Sequence, residues 1–539
     1  MKKIAYFLSA AVLAFAMVFT SCDVTRLPEG TPLQEPFKNI LMAKQNRDAV
    51  YALLIGVESP NNLNTPDIQS DLYHLTLLDN NSLKGLYAWQ EQSVLDHDDI
   101  NSYYASYYQT LMQANYFIMR AEELLANEGI SKTDADKGLL KQYIGEMKTI
   151  RALAHWRLIQ RFSKPWDNAT DSNPQSGIIL MTSYDPLATA QSEKASRADV
   201  YKAMIEDLDY AIANIPAEAN KDVKPAIYLT RDYAYAIKAR VCLTKQDWQG
   251  ALDACNAFID NYPINIDGDA QAKTKSIHSI WRTEDSPEIL VRLRATAQQG
   301  AVRSSVLAAS HRLGFSSFKD LKDTTRVWAV YYQPSLVLEQ WVADLYSSND
   351  IRKTEYIGQR GFYKNAWGLN FHTLTKFEGN EALNVDPKVL QFKFGVHLFN
   401  VGEAYLIKAE ALAQLGKTAE AAETIVKFEK SRLSDSYPDP ADFGTKDEVL
   451  EEIYKERLRE LVGEGTRLND LVRLGKGFKR TAPQPVFKEV GNAIFDKPSA
   501  VQDEAIDLEK PANDKMFIWE FPLRDRENNK HLDDNRNWK

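Results

Sequence analysis

The stretch "GEAYLIKAEALAQLGKTAEAAETIVKFEK" (Gly402–Lys430) decides how this chain folds. Its apolar residues recur at helical spacing on both sides of Gly416-Lys417, which predicts two helices joined by a tight turn. Tyr405 is large, whereas Ala409, Gly416 and Ala421 are small. Small residues let two helix backbones approach closely, and an aromatic fills the groove beside them. The Gly-Lys-Thr at 416–418 imitates the end of a phosphate loop. The first glycine of such a loop would fall on residue 411, which is Ala, and a helix rather than a strand precedes it.

A second pair has the same layout. In "DYAYAIKARVCLTKQDWQGALDACNAFIDNYP" (Asp232–Pro263), Tyr235, Ala239, Ala251 and Pro263 occupy the large, small, small and terminal-proline places. Both pairs follow a tetratricopeptide-like register, and a stack of such pairs buries a continuous core along one side. Longer amphipathic runs at 101–129 and 139–166 extend the pattern, the latter stopped by Pro165. Ser196 with Asp199, and Thr445 with Glu448, have the spacing of capping boxes at the starts of two more helices. The predicted fold is mostly α, a tetratricopeptide-like helical-pair scaffold.

Cys242 and Cys255 flank the helix–helix turn near Gln246-Asp247 at unequal distances. Antiparallel packing then offsets them by roughly 6 Å along the axes at 1.5 Å per residue. That is awkward for a disulfide, so two buried thiols are expected.

The first residues are a separate object. Met1-Lys2-Lys3 is a positive leader, and Ile4 to Phe19 is apolar apart from Ser9. Thr20-Ser21-Cys22 follows, so residues 1–21 read as a lipoprotein signal peptide with Cys22 the lipidated residue. An anchored chain is tethered to a membrane rather than spanning it. Acidic side chains outnumber basic ones by 74 to 65, which argues against a nucleic-acid partner. Apolar residues make up 44% of the chain, enough for a well-filled interior.

Three further regions are expected: an N-terminal helical region at 22–264, a loop-rich and partly β variable region at 265–395, and a C-terminal helical region at 396–539. No metal, nucleophile or cofactor motif emerges. The eight histidines are scattered without zinc spacing. An EF-hand loop turning at Gly268 would need an acid where Pro263 stands. "DHDD" (96–99) reads as a solvated or helix-starting charge run rather than a calcium site.

Several segments, in order, resemble the SusD/RagB-like nutrient-binding outer-membrane lipoproteins. "GEMKTIRALAHWRLIQRFSKP" is similar to the family's Glu-rich helix with its Arg-Ala-aromatic run. "GEAYLIKAEALAQLGK" is close to its most characteristic helix, and "FPLRDRENNKHLDDNRNW" resembles its closing segment. Between them, "ERLRELVGEGTRLNDLVR" carries a matching charged signature in Glu456, Arg457, Glu460, Leu461, Glu464, Gly465, Arg467, Asp470, Leu471 and Arg473. Physically, charges at i+3 and i+4 line one side of each helix, and Gly465 suits the turn between them. Arg457 and Arg467 are expected to bridge to Glu464 and Asp470, making the cluster architectural rather than catalytic.

The resemblance implies a cell-surface, lipid-anchored protein that captures glycans without catalysis. It also implies delivery to a partner SusC-like TonB-dependent transporter in the outer membrane. Family members bind on a face built by the loop before the first long helix and by the variable middle segment. Trp89 and Trp328 match places where saccharide-binding members set stacking aromatics, with Tyr87, Gln92 and Tyr331 beside them. A pyranose face presents polarised C–H groups to an aromatic ring, and Gln92 is suited to bond hydroxyls. The rival readings are a peptide-capturing RagB-type binder, a tetratricopeptide-type protein-interaction scaffold, and a surface hydrolase, which no sequence motif favours.

Overall fold

The computed structural model describes residues 37–75, 83–90, 98–130, 132–185, 192–293, 313–316, 329–332, 336–358, 373–383, 393–480 and 508–532. Helices dominate. The principal ones are α1 (Ile40–Val57), α2 (Asp98–Ala126), α3 (Asp134–Phe162), α4 (Arg197–Asn214), α5 (Arg231–Thr244) and α6 (Trp248–Asn256). They continue with α7 (Val401–Gln414), α8 (Thr418–Lys430), α9 (Lys446–Leu461) and α10 (Arg467–Arg473).

Local chemistry sets their ends. Ser196 accepts from the Asp199 N–H at 3.0 Å, and Thr445 forms a reciprocal capping box with Glu448. Phe162 ends α3 three residues before Pro165. Gly416 turns between α7 and α8 with φ +79°, a conformation that costs glycine little.

The helices pack in sequence: α2 on α3, α3 on α4, α4 on α5, α5 on α6, and α6 on α7. The stack then runs through α7 to α8 and α9. Ala239, Ala251, Ala409 and Ala421 are fully buried at the close approaches, and Tyr405 stacks on Phe428 at 5.9 Å. The tetratricopeptide-like scaffold is therefore present, and one apolar core runs from Phe37 to Leu532. Cys242 and Cys255 are free and buried. Burial pushes the Cys255 thiol above the usual range and the Cys242 thiol up to about 12.

Among the described residues the strands form two-stranded antiparallel pieces. They are β1 (Tyr73–Leu75), β2 (Ile289–Leu293), β3 (Leu313–Ser316), β4 (Ala329–Tyr332), β5 (Leu336–Leu338), β6 (Ile357–Gly358), β7 (Thr373–Leu374), β8 (Val396–Asn400), β9 (Phe478–Lys479) and β10 (Glu509–Lys510). β2 pairs with β8, whose end runs directly into α7.

The charged signature binds these pieces to the scaffold. Arg352 reaches Asp350, Glu456 and Glu460 at 2.9, 2.7 and 2.9 Å. Arg432 joins Glu460 at 3.0 Å and Glu288 at 2.6 Å. All six side chains are buried, where charges persist only if paired. Burial raises the pKa of Glu460, but Arg432 and Arg352 outweigh it and hold the carboxyl down at about 2. Arg457 bridges to Asp470 at 3.1 Å as expected. Two expected partners are corrected. Arg467 instead holds Asp71 at 2.8 Å, and Glu464 pairs with the buried Lys376. Both true partners come from distant segments that local periodicity does not reveal.

Candidate ligand-binding face

The antiparallel pairing of β1 with β5 sets Leu75 opposite Leu336 and Tyr73 opposite Leu338. The chain therefore leaves β1 and enters β5 at the same end of this small sheet. The segments beyond those two points are the loop regions that the sequence marked as ligand-facing. β3 pairs with β4, placing Tyr331 opposite Gly314 in the strand just before β5. Tyr331 thus has a defined backbone place near that sheet end in sequence. Gln92, Trp328 and the lipidation residue Cys22 lie outside the described residues.

The structure places two of the expected binding residues in the interior, and their assignment is corrected. Trp89 is only 4% exposed. Its indole N–H donates to the Gln69 carbonyl at 2.8 Å, and its ring meets Phe517 edge-on at 5.8 Å and Phe478 at 6.4 Å. Lys510 Nζ lies 4.8 Å from the same ring, a cation–π contact. Tyr87 is fully buried, with the Arg480 guanidinium 3.7 Å from its ring centre. Arg480 also donates to the carbonyls of Ser70 at 2.9 Å, Ile68 at 3.1 Å and Tyr87. Burial lowers the pKa of Arg480, and Tyr87 counters this only in part.

A sugar can stack only on an accessible ring, so neither aromatic serves as a platform here. They are part of the packed interior. Trp89 belongs to a second, small apolar cluster with Leu468, Leu471, Phe478, Phe517 and Ile518, which docks the segment before α2 onto α10 and the C-terminal part of the chain. Sequence reasoning missed Arg480 and Lys510, the cations that hold these two rings. They stand some 400 residues further along the chain, and no local spacing links them to Tyr87 and Trp89.

Among the described residues, one acidic trio is close enough to share an ion: Glu429, Glu452 and Glu456. Arg459 already spans it, donating to Glu456 at 2.6 Å, to Glu429 at 3.3 Å and to Glu452. A cation would compete with this guanidinium, so the trio fits an ion-pair network better than a metal centre.

Comparison with known proteins places this architecture. A family model described as the SusD family matches residues 396–538. A second, described as starch-binding and associating with the outer membrane, matches residues 38–243. A curated SusD-like protein of Formosa agariphila is 22% identical over 376 residues, covering 64% of this chain and 68% of its own. Among solved structures, a SusD superfamily protein from Bacteroides thetaiotaomicron superposes with a TM-score of 0.69 at 18% identity, covering 92% of this chain and 99% of its own. A SusD-like carbohydrate-binding protein from Bacteroides vulgatus gives 0.67 at 17% identity, with coverages of 92% and 98%. A laminarin-binding SusD-like protein gives 0.63 at 18% identity, with coverages of 93% and 100%. At these identities the structural likeness is one of fold.

Proposed function

From the premise that this chain is a SusD/RagB-like protein, we propose that it captures glycans at the cell surface for import. It is held to the outer membrane by a lipid on Cys22. It acts by binding rather than catalysis, and it passes its ligand to a SusC-like TonB-dependent transporter. The observation that carries this proposal is the match of residues 38–243 to a family described as starch-binding and outer-membrane-associated. A solved relative of the same fold is named for binding laminarin. The ligand contacts proposed are Trp328, Gln92 and Tyr331, on the segments that continue from the shared end of β1 and β5 and from the buried Trp89. Aromatic rings supply stacking area, and the amide fixes orientation through hydroxyls.

The test is calorimetric titration of the purified protein with amylose oligomers, laminarin oligomers and a peptide mixture, with Trp328→Ala alongside. Saturable binding of one glycan class, weakened about tenfold or more in the variant, is expected. Binding of peptides alone would replace the glycan reading with peptide capture.

A further inference from the structure

A hollow of about 340 Å³ lies within the helical scaffold, its lining drawn from residues outside β1 and β5. Its walls carry Trp166 just beyond α3, Trp248 at the start of α6, and Tyr454 on α9. Gln246 and Gln414 supply amides, and the exposed Lys476 stands at its edge, 4.9 Å from the Tyr454 ring. The volume is that of a small-molecule site, and three aromatics with a few amides are the usual lining of one.

A recess of about 20 Å³ adjoins this hollow, sharing Pro165, Trp166, Thr244 and Arg473 with it. It has room for one small group. Arg161 and Asn469 line it. Arg161 is 1% exposed, yet its Nε and Nη2 have no hydrogen-bond acceptor. Its Nη1 makes one long bond, 3.5 Å, to the Phe517 carbonyl. Among the described residues no carboxylate lies within salt-bridge distance of it. The contrast with its own helix is sharp. Arg151 grips Asp207 at 2.7 and 2.6 Å, and Arg157 grips Glu58 at 3.2 and 2.7 Å. Arg473 in the shared wall is already neutralised by Glu410 at 2.5 Å and Asp470 at 2.6 Å. The Asn469 side-chain oxygen is likewise unpartnered.

Asp67 acts on Arg161 only from beyond salt-bridge distance and already accepts from the Gly465 and Arg467 N–H groups. A buried guanidinium with no directly paired carboxylate is costly, and its forked donors match a planar carboxylate or a sulfate. We propose that the hollow is a second saccharide site, taking a sugar whose carboxylate or sulfate group enters the recess against Arg161 while its ring stacks on the tryptophans. It rests on the reading of the chain as a saccharide binder, but it uses none of the residues of the loop face. Lys476 attracts the acidic ligand at the mouth of the hollow.

The test titrates the purified protein with trigalacturonate, its methyl-esterified neutral counterpart, a sulfated galactose trimer and inorganic sulfate. Expected is binding of at least one acidic trimer, about tenfold or more tighter than the neutral ester. Arg161→Gln should abolish that preference, and Trp248→Ala should weaken the acidic trimer and the ester together. Should Arg161→Gln fail to fold, Trp248→Ala and Lys476→Gln, both at partly or fully exposed positions, still decide the matter. Equal affinity for acid and ester, affinity unchanged in the variants, or binding of inorganic sulfate without either acidic sugar would each overturn the assignment. Retained amylose or laminarin binding with no acidic-sugar binding overturns this inference alone. Absence of every saccharide overturns the proposed function with it.

Discussion

Arg240 on α5 holds Glu403 on α7 through two bonds, 2.9 Å from Nε and 2.5 Å from Nη2, across 163 residues of chain. The guanidinium also lies 4.6 Å from the ring centre of Phe399 and 5.5 Å from that of Trp156. Burial raises the pKa of Glu403, but Arg240 outweighs it and leaves the carboxyl below its ordinary range. The pair is charged, buried, and placed where the N-terminal helices meet the C-terminal ones. Glu403→Gln strands the guanidinium and should destabilise the protein by about 3–5 kcal/mol in denaturant titration. The double change Arg240→Met with Glu403→Leu should recover most of that loss, since it removes both charges. A single-variant cost below about 1 kcal/mol would mean that water reaches the pair.

Two glycines should respond to alanine with opposite signs. Gly465 has φ +73°, and a Cβ there would sit 1.9 Å from the Leu63 carbonyl oxygen. Its N–H donates to the buried Asp67 at 2.8 Å, so the backbone has little freedom to retreat. Gly465→Ala should cost about 2 kcal/mol or more. Gly138 lies on exposed helical backbone of α3 with nothing within 4 Å of a Cβ. Gly138→Ala should stabilise by about 0.5–1 kcal/mol. Parallel denaturation curves compare the two, and equal shifts would show that the turn at Gly465 adapts.

These two sites mark what the sequence could tell. The turn at Gly465, the caps at Ser196 and Thr445, the paired helices and the buried thiols all depend on neighbours within a few residues. Periodicity and spacing carry such information. The site was less legible. Trp89 sits among polar loop residues in sequence, yet Phe478 and Phe517 cover it from the far end of the chain. The partner of Arg467 is likewise Asp71, 396 residues away. Arg161 resembles its neighbours Arg151 and Arg157 in sequence, and only the folded arrangement shows that it lacks their carboxylates. The usable local signal was Trp166 just after the α3 stop and Trp248 at a helix start, both beside turns.

His155 should give the protein an acid-sensitive component. Its Nδ1 lies 3.0 Å from the Arg151 carbonyl, and its Nε2 accepts from the Met181 N–H at 3.1 Å. That pattern requires the neutral ring, protonated on Nδ1. Burial, aided by Arg151, lowers its pKa to about 4, against about 6.5 when unfolded. Between those values the unfolded chain binds more protons, so stability rises with pH across the window. The contribution is full above about pH 6.5 and falls away towards pH 4, by about 3 kcal/mol in all. His155→Gln should cost stability at pH 7.5 and flatten the dependence between pH 4 and 6.5. An unchanged slope in the variant would assign the acid sensitivity to other groups.

Cys22→Ala tests the anchor. Without the thiol there is no lipid acceptor, and the protein should move from the membrane fraction to the soluble fraction when expressed without the proposed transporter. A variant that still sediments with membranes would remove Cys22 from the proposal.

Trp89 and Trp328 should separate stability from binding. Removing the Trp89 side chain opens a hole between Phe478, Phe517 and Lys510 and frees the Gln69 carbonyl. A large buried aromatic cut to alanine costs about 3–5 kcal/mol. Trp89→Ala should therefore lower stability by that order, while the protein that stays folded keeps its glycan affinity. Trp328→Ala, as a loss of ligand contact, should shift stability by about 0.5 kcal/mol or less and weaken glycan binding about tenfold or more. Denaturation and calorimetry on the same two variants give the full two-by-two comparison. Loss of affinity in Trp89→Ala at unchanged stability would mean that the ring leaves its seat against Phe517 to meet the ligand, and Trp89 would then be part of the site.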